Sequence, residues 1–72
     1  MITIVAQVKF YSIDHGPVEY TCEDYCNTWS ELKSTETKLL NEQRQYCDEL
    51  NGMFDTFYYE TYYEVPQLLE AN

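Results

Sequence analysis

Apolar and polar side chains alternate along the first dozen residues of the chain. Between residues 2 and 12 one face is polar except for Val5, and the other face is apolar and consists of Ile2, Ile4, Ala6, Val8 and Phe10. A period of two places successive residues on opposite sides of an extended chain, so this segment predicts a half-buried β-strand.

Residues 18–23 alternate in the same way, and the sequence Asp-His-Gly-Pro at 14–17 separates the two segments. Gly16 can adopt the positive φ that many tight turns require. The first part of the chain therefore predicts an antiparallel β-hairpin with strands over residues 2–12 and 18–23.

The period then changes to three and four residues, which predicts an amphipathic helix over residues 28–50. Thr28 followed by Glu31 is a capping-box pattern for its start, with Asn27 as a competing cap. Gly52 is the expected left-handed residue after its end. The apolar side of this helix is expected to pack on the apolar face of the first strand, and it includes Trp29, Leu32, Leu39, Leu40, Cys47 and Leu50.

The segment from Met53 to Val65 fits two kinds of element. Its apolar residues recur at helical spacing, whereas its content of Tyr, Phe, Thr and Val favours a strand. We expect a strand over residues 56–65, because two strands alone are marginally stable and a third gives the helix a broader sheet to cover. Pro66 ends the element, and residues 66–72 are expected to form a tail or a single helical turn.

These elements predict a single domain over residues 1–72, because so short a chain has room for one small core. The expected fold class is α+β, in which a small antiparallel sheet packs against one long amphipathic helix in the order ββαβ. If residues 53–65 were helical instead, the order would be ββαα.

The chain is strongly acidic, with 13 Asp and Glu residues, 4 Lys and Arg residues and a formal net charge of −9. All the basic residues precede position 45, so the last third of the chain is purely anionic. Because binding to a phosphate backbone requires basic side chains, this balance argues against direct contact with nucleic acid.

The chain contains three cysteines, Cys22, Cys26 and Cys47, which is an odd number. The sequence begins without a signal-peptide pattern and has no apolar run of the roughly 18–20 residues that cross a membrane. We therefore expect reduced thiols in a cytoplasm, that of the host cell if the gene is phage-encoded, and no membrane partner.

Groups that could perform catalysis are sparse in this sequence. The single histidine, His15, lies beside Asp14 in the predicted turn, and an exposed turn offers no cleft. Cys22 and Cys26 lack a second ligand pair at metal-binding spacing, and no glycine-rich phosphate loop is found. We expect no catalytic residue, no metal site and no cofactor, with the cysteines acting as small apolar side chains.

The stretch FDTFYYETYYEV at residues 54–65 combines six aromatic rings with three acids. In a strand its tyrosines and glutamates would alternate on one face, although half of its rings could instead close the small core. Tyrosine supplies large contact area at interfaces, and carboxylates suit the arginines and lysines of a basic partner. We expect the stretch to bind a partner protein through Asp55, Tyr58, Tyr59, Glu60, Tyr62, Tyr63 and Glu64.

In size, acidity and tyrosine content the chain resembles small phage-encoded inhibitors that mimic DNA, including anti-restriction, anti-CRISPR and uracil-DNA glycosylase inhibitor proteins. The resemblance involves no sequence motif and transfers no functional residue. It implies a non-enzymatic inhibitor whose acidic, tyrosine-rich surface occupies the basic groove with which a host or phage protein holds nucleic acid.

A second interpretation is a structural or regulatory interaction module, similar to an antitoxin or an adaptor domain, that binds through apolar strand and helix surface. The first strand is long and apolar on one face, and as an open edge it would allow a homodimer. Ionic strength distinguishes the two interpretations, because binding by charge weakens as salt is added and apolar binding does not.

Overall fold

The computed structural model describes residues 1–64, which form three strands and one α-helix. In chain order the elements are β1 (Ile2–Ser12), β2 (Gly16–Cys26), a 3-10 turn (Trp29–Glu31), α1 (Leu32–Glu49) and β3 (Gly52–Tyr63). This order confirms the predicted α+β class and the ββαβ arrangement. Val65 and the predicted tail over 66–72 lie outside the described residues.

The third element is a strand, as its residue preference favours, and not the helix that its spacing also allows. β3 begins earlier than the predicted residue 56, because its pairing with β1 already starts at Gly52. β2 likewise extends beyond residues 18–23 at both ends. The predicted helix over 28–50 divides into the 3-10 turn and α1.

β1 is the central strand of the sheet, whose order is β2-β1-β3, and both neighbours run antiparallel to it. The expectation that the first strand is an open edge is therefore wrong. α1 connects β2 to β3, and β3 pairs with the edge of β1 that the hairpin leaves free. The outer edges of the sheet belong to β2 and β3.

The core lies between α1 and one face of the sheet. The side chains of β1 on this face are almost completely buried, and they are Ile2, Ile4, Ala6, Val8 and Phe10. From the helix, Leu39 and Cys47 are buried, while the partly exposed Leu32 packs against the cluster of Ile4, Ala6 and Leu39. Cys22 of β2 also packs against this core, so it and Cys47 serve as the small apolar side chains that the sequence predicts.

Trp29 is not part of the core, contrary to expectation. Its side chain is 54% exposed and lies against the ring of Tyr63, with the ring centroids 5.8 Å apart. Trp29 lies in the 3-10 turn that precedes α1 and not in α1 itself.

Asn51, rather than Gly52, takes the left-handed conformation after α1, with a φ of 53°. Asparagine tolerates this conformation better than other residues with side chains. Gly52 is needed for a different reason, namely close approach of the chain to the helix. A Cβ atom at this position would lie 2.7 Å from Cys47 Sγ and 2.9 Å from Phe10 Cδ1.

Ser12 joins the hairpin turn to the end of the helix. Its side chain is fully buried, and its hydroxyl donates a hydrogen bond to the Leu50 carbonyl at 2.6 Å. The same oxygen accepts hydrogen bonds from the backbone N–H groups of Asp14 and His15 at 3.1 and 3.0 Å. Gly16 completes the turn with the expected positive φ, here 79°.

Candidate functional site

The second face of the sheet is not covered by any element among residues 1–64, and we call it the open face. Four of the eight tyrosines of the chain lie on it, so much of the tyrosine content is placed where it has no packing role in the core. Its residues are Thr3, Val5, Gln7, Lys9 and Tyr11 of β1, Pro17, Glu19, Thr21, Glu23 and Tyr25 of β2, and Met53, Thr56, Tyr58, Glu60 and Tyr62 of β3.

Two glutamates flank the central strand at the same level of the open face. Val5 pairs with Glu23 on one side and with Glu60 on the other, so the three residues form one row across the sheet. Neighbouring strands lie about 4.8 Å apart, which separates the two glutamate backbones by about 10 Å. Neither carboxylate forms an ion pair with another of residues 1–64.

A tyrosine accompanies each of these glutamates. Tyr25 and Tyr62 both pair with Thr3 and form the adjacent row. The Tyr25 hydroxyl donates to Glu23 Oε1 at 2.9 Å, and the Tyr62 hydroxyl donates to Glu60 Oε1 at 2.8 Å. We call this set the tyrosine–glutamate patch; with Tyr58, whose hydroxyl lies 3.3 Å from the second Glu60 oxygen, it comprises Glu23, Tyr25, Tyr58, Glu60 and Tyr62.

The glutamates raise the pKa values of the neighbouring phenols. The hydrogen bond to Glu23 and the negative charge of that carboxylate raise the pKa of Tyr25. The pKa of Tyr62 is raised in the same way by its hydrogen bond to Glu60 and by the charge of Glu60. Each unit therefore combines a carboxylate, a neutral hydroxyl and a half-exposed aromatic ring.

Basic side chains are largely absent from this surface. Lys9 is the basic residue of the open face, and its Nζ lies 3.8 Å from Glu19 Oε2. The other basic residues belong to α1, and they are Lys33, Lys38 and Arg44. The negative charge of the tyrosine–glutamate patch is therefore not compensated on its own side of the described domain.

The predicted binding residues are divided between the two faces of the sheet. Tyr58, Glu60 and Tyr62 lie together on the open face. Tyr59 faces the helix and packs, partly buried, against the core, so it closes the core as the alternative interpretation of this stretch suggested. Tyr63 is also on the helix side, although half of its ring is exposed.

Asp55 and Glu64, the two remaining predicted residues, lie where the regular pairing of β3 is interrupted or ends. Asp55 occupies a β-bulge opposite the step from Lys9 to Phe10. Glu64 follows the strand, and its backbone exchanges two hydrogen bonds with Met1 at 3.0 and 3.1 Å. Both side chains are exposed, but neither belongs to the tyrosine–glutamate patch.

Sequence reasoning missed two residues of the patch, Glu23 and Tyr25. The spacing of two from Glu19 through Thr21 and Glu23 to Tyr25 places all four on one face, but the predicted strand ends at residue 23. The order of strands, which brings β2 and β3 to opposite sides of β1, is not visible in the sequence. That order places one tyrosine–glutamate pair on each side of β1.

Two depressions lie on the open face. The smaller has a volume of about 150 Å³ and is lined by Val5, Gln7, Tyr58, Glu60 and Tyr62. The larger, which we call the hairpin-end hollow, has a volume of about 530 Å³ and is lined by Lys9, Phe10, Tyr11, Pro17, Val18, Glu19, Met53, Phe54 and Asp55. The open face therefore offers recesses as well as projecting side chains.

Within residues 1–64, no group of three or more His, Cys, Asp and Glu side chains is arranged to hold a metal ion. His15 is exposed in the hairpin turn. Over the same range of residues, no helix is both long and apolar enough to cross a membrane.

Comparison with protein-family models, curated proteins and solved structures found no match. The function of this chain is therefore inferred from the arrangement of its own residues.

Proposed function

We propose that this chain is a non-enzymatic, protein-binding inhibitor whose open face occupies the basic groove with which a partner protein holds nucleic acid. One observation carries the proposal. A tyrosine–glutamate unit stands on each outer strand, with Thr3 and Val5 rather than a basic residue between the two units.

Each unit combines two features that a nucleic-acid-binding groove recognises, a negative charge and a flat ring. Glu23 and Glu60 offer carboxylate oxygens to arginine and lysine, which form their strongest hydrogen bonds with ionised acceptors. The rings of Tyr25 and Tyr62 offer aromatic faces, on which guanidinium groups and apolar side chains pack favourably. The patch thus provides charge and stacking surface together.

The charge of the whole chain supports the same kind of partner. A net charge of −9 attracts a basic protein over a distance and raises the rate of association. Because this attraction is screened by ions, it weakens as the salt concentration rises. Salt dependence is therefore the expected signature of the complex.

A direct nucleic-acid ligand fits the open face poorly. Exposed aromatic rings on a sheet also stack on the bases of single-stranded nucleic acid, but those proteins add a basic groove for the backbone. On this face the single lysine, Lys9, is paired with Glu19, and the patch beyond them is acidic. A basic protein is the better partner.

The alternative interaction module was expected to bind through the apolar face of the first strand, and this face is not exposed. β1 is central, and its apolar side chains are buried beneath α1. A homodimer formed by pairing of edge strands would use β2 or β3, whose exposed side chains include Glu19, Glu23 and Glu60. Bringing two such edges together places like charges close to each other, which opposes association.

The proposal is tested by affinity capture from a host lysate at roughly 50 mM and 300 mM salt, two ionic strengths that differ strongly in screening. The test variant is Glu23→Gln/Glu60→Gln, in which the amide oxygen still accepts the tyrosine hydroxyl while the charge is removed. The control is Asp48→Asn/Glu49→Gln, which removes the same charge from exposed positions on α1.

We expect the wild type and the control to retain a basic nucleic-acid-binding protein at the lower salt concentration and to release it at the higher one. The Glu23→Gln/Glu60→Gln variant should retain much less of it at the lower concentration. Equal retention by this variant and the wild type at the lower concentration would contradict the proposal.

A further inference from the structure

Apolar side chains are exposed at the hairpin end of the open face. Tyr11 is 55% exposed and Met53 is 74% exposed, and both line the hairpin-end hollow. Pro17 pairs with Tyr11 from the other side, so the three residues form the last row of the open face. Apolar surface that is exposed in a contiguous patch and contributes nothing to the core is typical of an interaction site.

The tyrosine–glutamate patch alone is too small for a stable complex. Three rows of residues on three strands cover roughly 20 Å by 14 Å, or about 280 Å². In an interface of standard size each partner buries about 800 Å². The patch already reaches the end of the sheet at Thr3, so a partner that covers it can gain area along the strands only toward the hairpin-end hollow.

The lining of the hairpin-end hollow is mostly uncharged, which suits an uncharged occupant. Of its three charged residues, Lys9 and Glu19 compensate each other, with Nζ and Oε2 3.8 Å apart, and Asp55 is exposed at the β-bulge. An uncharged side chain can enter beside the Lys9–Glu19 pair without disturbing it, whereas a charged one would compete with it. Methionine, here Met53, adapts its shape to different apolar groups and is common at such contact surfaces.

We infer that the hairpin-end hollow is the apolar anchor site of the same interface, and that it receives an uncharged aromatic or large aliphatic side chain of the partner protein. The inference rests on the proposed function, because it takes the open face as the surface that meets a basic partner. The two ends of the face then have different tasks. The patch supplies attraction that depends on salt, and the hollow supplies affinity that does not.

Two capped synthetic hexapeptides test the inference, Arg-Gly-Arg-Gly-Phe-Leu and Arg-Gly-Arg-Gly-Ser-Ser. They carry the same charge and differ only in the apolar residues. Their dissociation constants are measured by NMR titration of the isotope-labelled full chain. Three proteins are compared: the wild type, Tyr11→Thr/Met53→Thr, which removes apolar surface at exposed strand positions, and Glu23→Gln/Glu60→Gln.

We expect the wild type to prefer the Phe-Leu peptide by about tenfold, the effect of burying one large apolar side chain, with resonance shifts at residues 11, 17 and 53. Tyr11→Thr/Met53→Thr should lose this preference, even at high salt. Equal binding of both peptides by the wild type, or a preference that persists in Tyr11→Thr/Met53→Thr, would overturn the anchor site.

The remaining variant separates this inference from the proposed function. Glu23→Gln/Glu60→Gln should weaken both peptides to the same extent and keep the preference for Phe-Leu. If it binds both peptides as tightly as the wild type does, the proposed role of the tyrosine–glutamate patch is wrong, and the inference about the hollow falls with it. If this variant binds both peptides more weakly but the wild type shows no preference for the Phe-Leu peptide, the role of the patch is supported and the anchor site is rejected.

Discussion

Glu23 and Glu60 stand at the same level of the open face, because each pairs with the central strand from its own side. They are 37 positions apart in the chain, and only the strand order β2-β1-β3 brings them into one row. Each accepts a hydrogen bond from a tyrosine on its own strand. The pairing of these two distant segments with β1 arranges the acidic residues as a defined surface. The proposed function therefore requires that the sheet stay folded.

The core between α1 and β1 should depend on Leu39, which is 3% exposed and packs against Ile4 and Ala6. Leu39→Ala should lower the free energy of unfolding by roughly 2–5 kcal/mol, because it leaves a cavity in a small core. The neighbouring exposed residue is the control, and Lys38→Ala should change the free energy by less than about 0.5 kcal/mol. Urea unfolding measures both values, and equal effects would contradict this core.

Gly52 should be required by the packing of β3 on the helix rather than by its backbone conformation. Gly52→Ala places a Cβ atom 2.7 Å from Cys47 Sγ, and the overpacking should cost about 1–3 kcal/mol. Cys47→Ala removes the nearest atom, so it should destabilise the Gly52→Ala protein less than it destabilises the wild type. Unfolding of the four proteins in this cycle measures the coupling, and additive effects would show that the two positions do not compete for space.

Ser12 should hold the hairpin end of the sheet in place. Ser12→Ala leaves the Leu50 carbonyl and two backbone N–H groups without their buried partner, at a cost of about 1–3 kcal/mol. Ser34→Ala is the control, because Ser34 is exposed on the helix and alanine favours helical structure. Hydrogen exchange of the amides of residues 13–16 should accelerate in the first variant and not in the second.

Stability should fall in alkaline solution, with Tyr20 as the largest single contributor. Burial of this phenol raises its pKa from 10.0 to about 12, and its hydroxyl donates to Gln43 Oε1 at 2.7 Å. A pKa that is higher in the folded than in the unfolded state stabilises the fold fully below pH 10.0, and this contribution is lost as the pH rises toward 12. Burial also raises the pKa values of Cys22 and Cys47, which act in the same direction.

Urea unfolding between pH 8 and pH 11, a range that brackets the ordinary pKa of tyrosine, measures this effect. Tyr20→Phe should be less stable than the wild type at the lower pH, because the hydrogen bond is lost, but its stability should decline less on the way to the higher pH. Parallel declines of the two proteins would assign the alkaline loss to other groups.

The fold could be predicted because each element carries its own pattern. The alternation over residues 2–12 and the helical period over 28–50 both result from burial on one side, and burial is what the folded protein requires of those residues. Residues 53–65 carried two patterns at once, and the free edge of β1 decided between them, since a strand there gains a full set of partners.

The site could be predicted only in part, because it depends on long-range pairing. Tyr58, Glu60 and Tyr62 share a face by alternation alone, but Glu23 and Tyr25 join them through the strand order. Tyr59 lies within the same stretch and nevertheless belongs to the core. Composition identifies residues 54–65 as unusual. Only the register of β3 against β1 shows which of these side chains lie on the open face and which pack against the core.

The most direct test of the charge-mimic proposal is displacement of nucleic acid from the captured partner. The partner is bound to a fluorescently labelled nucleic acid at low salt, and the chain is added while fluorescence anisotropy is recorded. We expect the wild type to release the nucleic acid with an equimolar end point, and Glu23→Gln/Glu60→Gln to release little of it at the same concentration. If the wild type binds the partner while the nucleic acid stays bound in a ternary complex, the open face does not occupy the nucleic-acid groove and the proposed function is wrong.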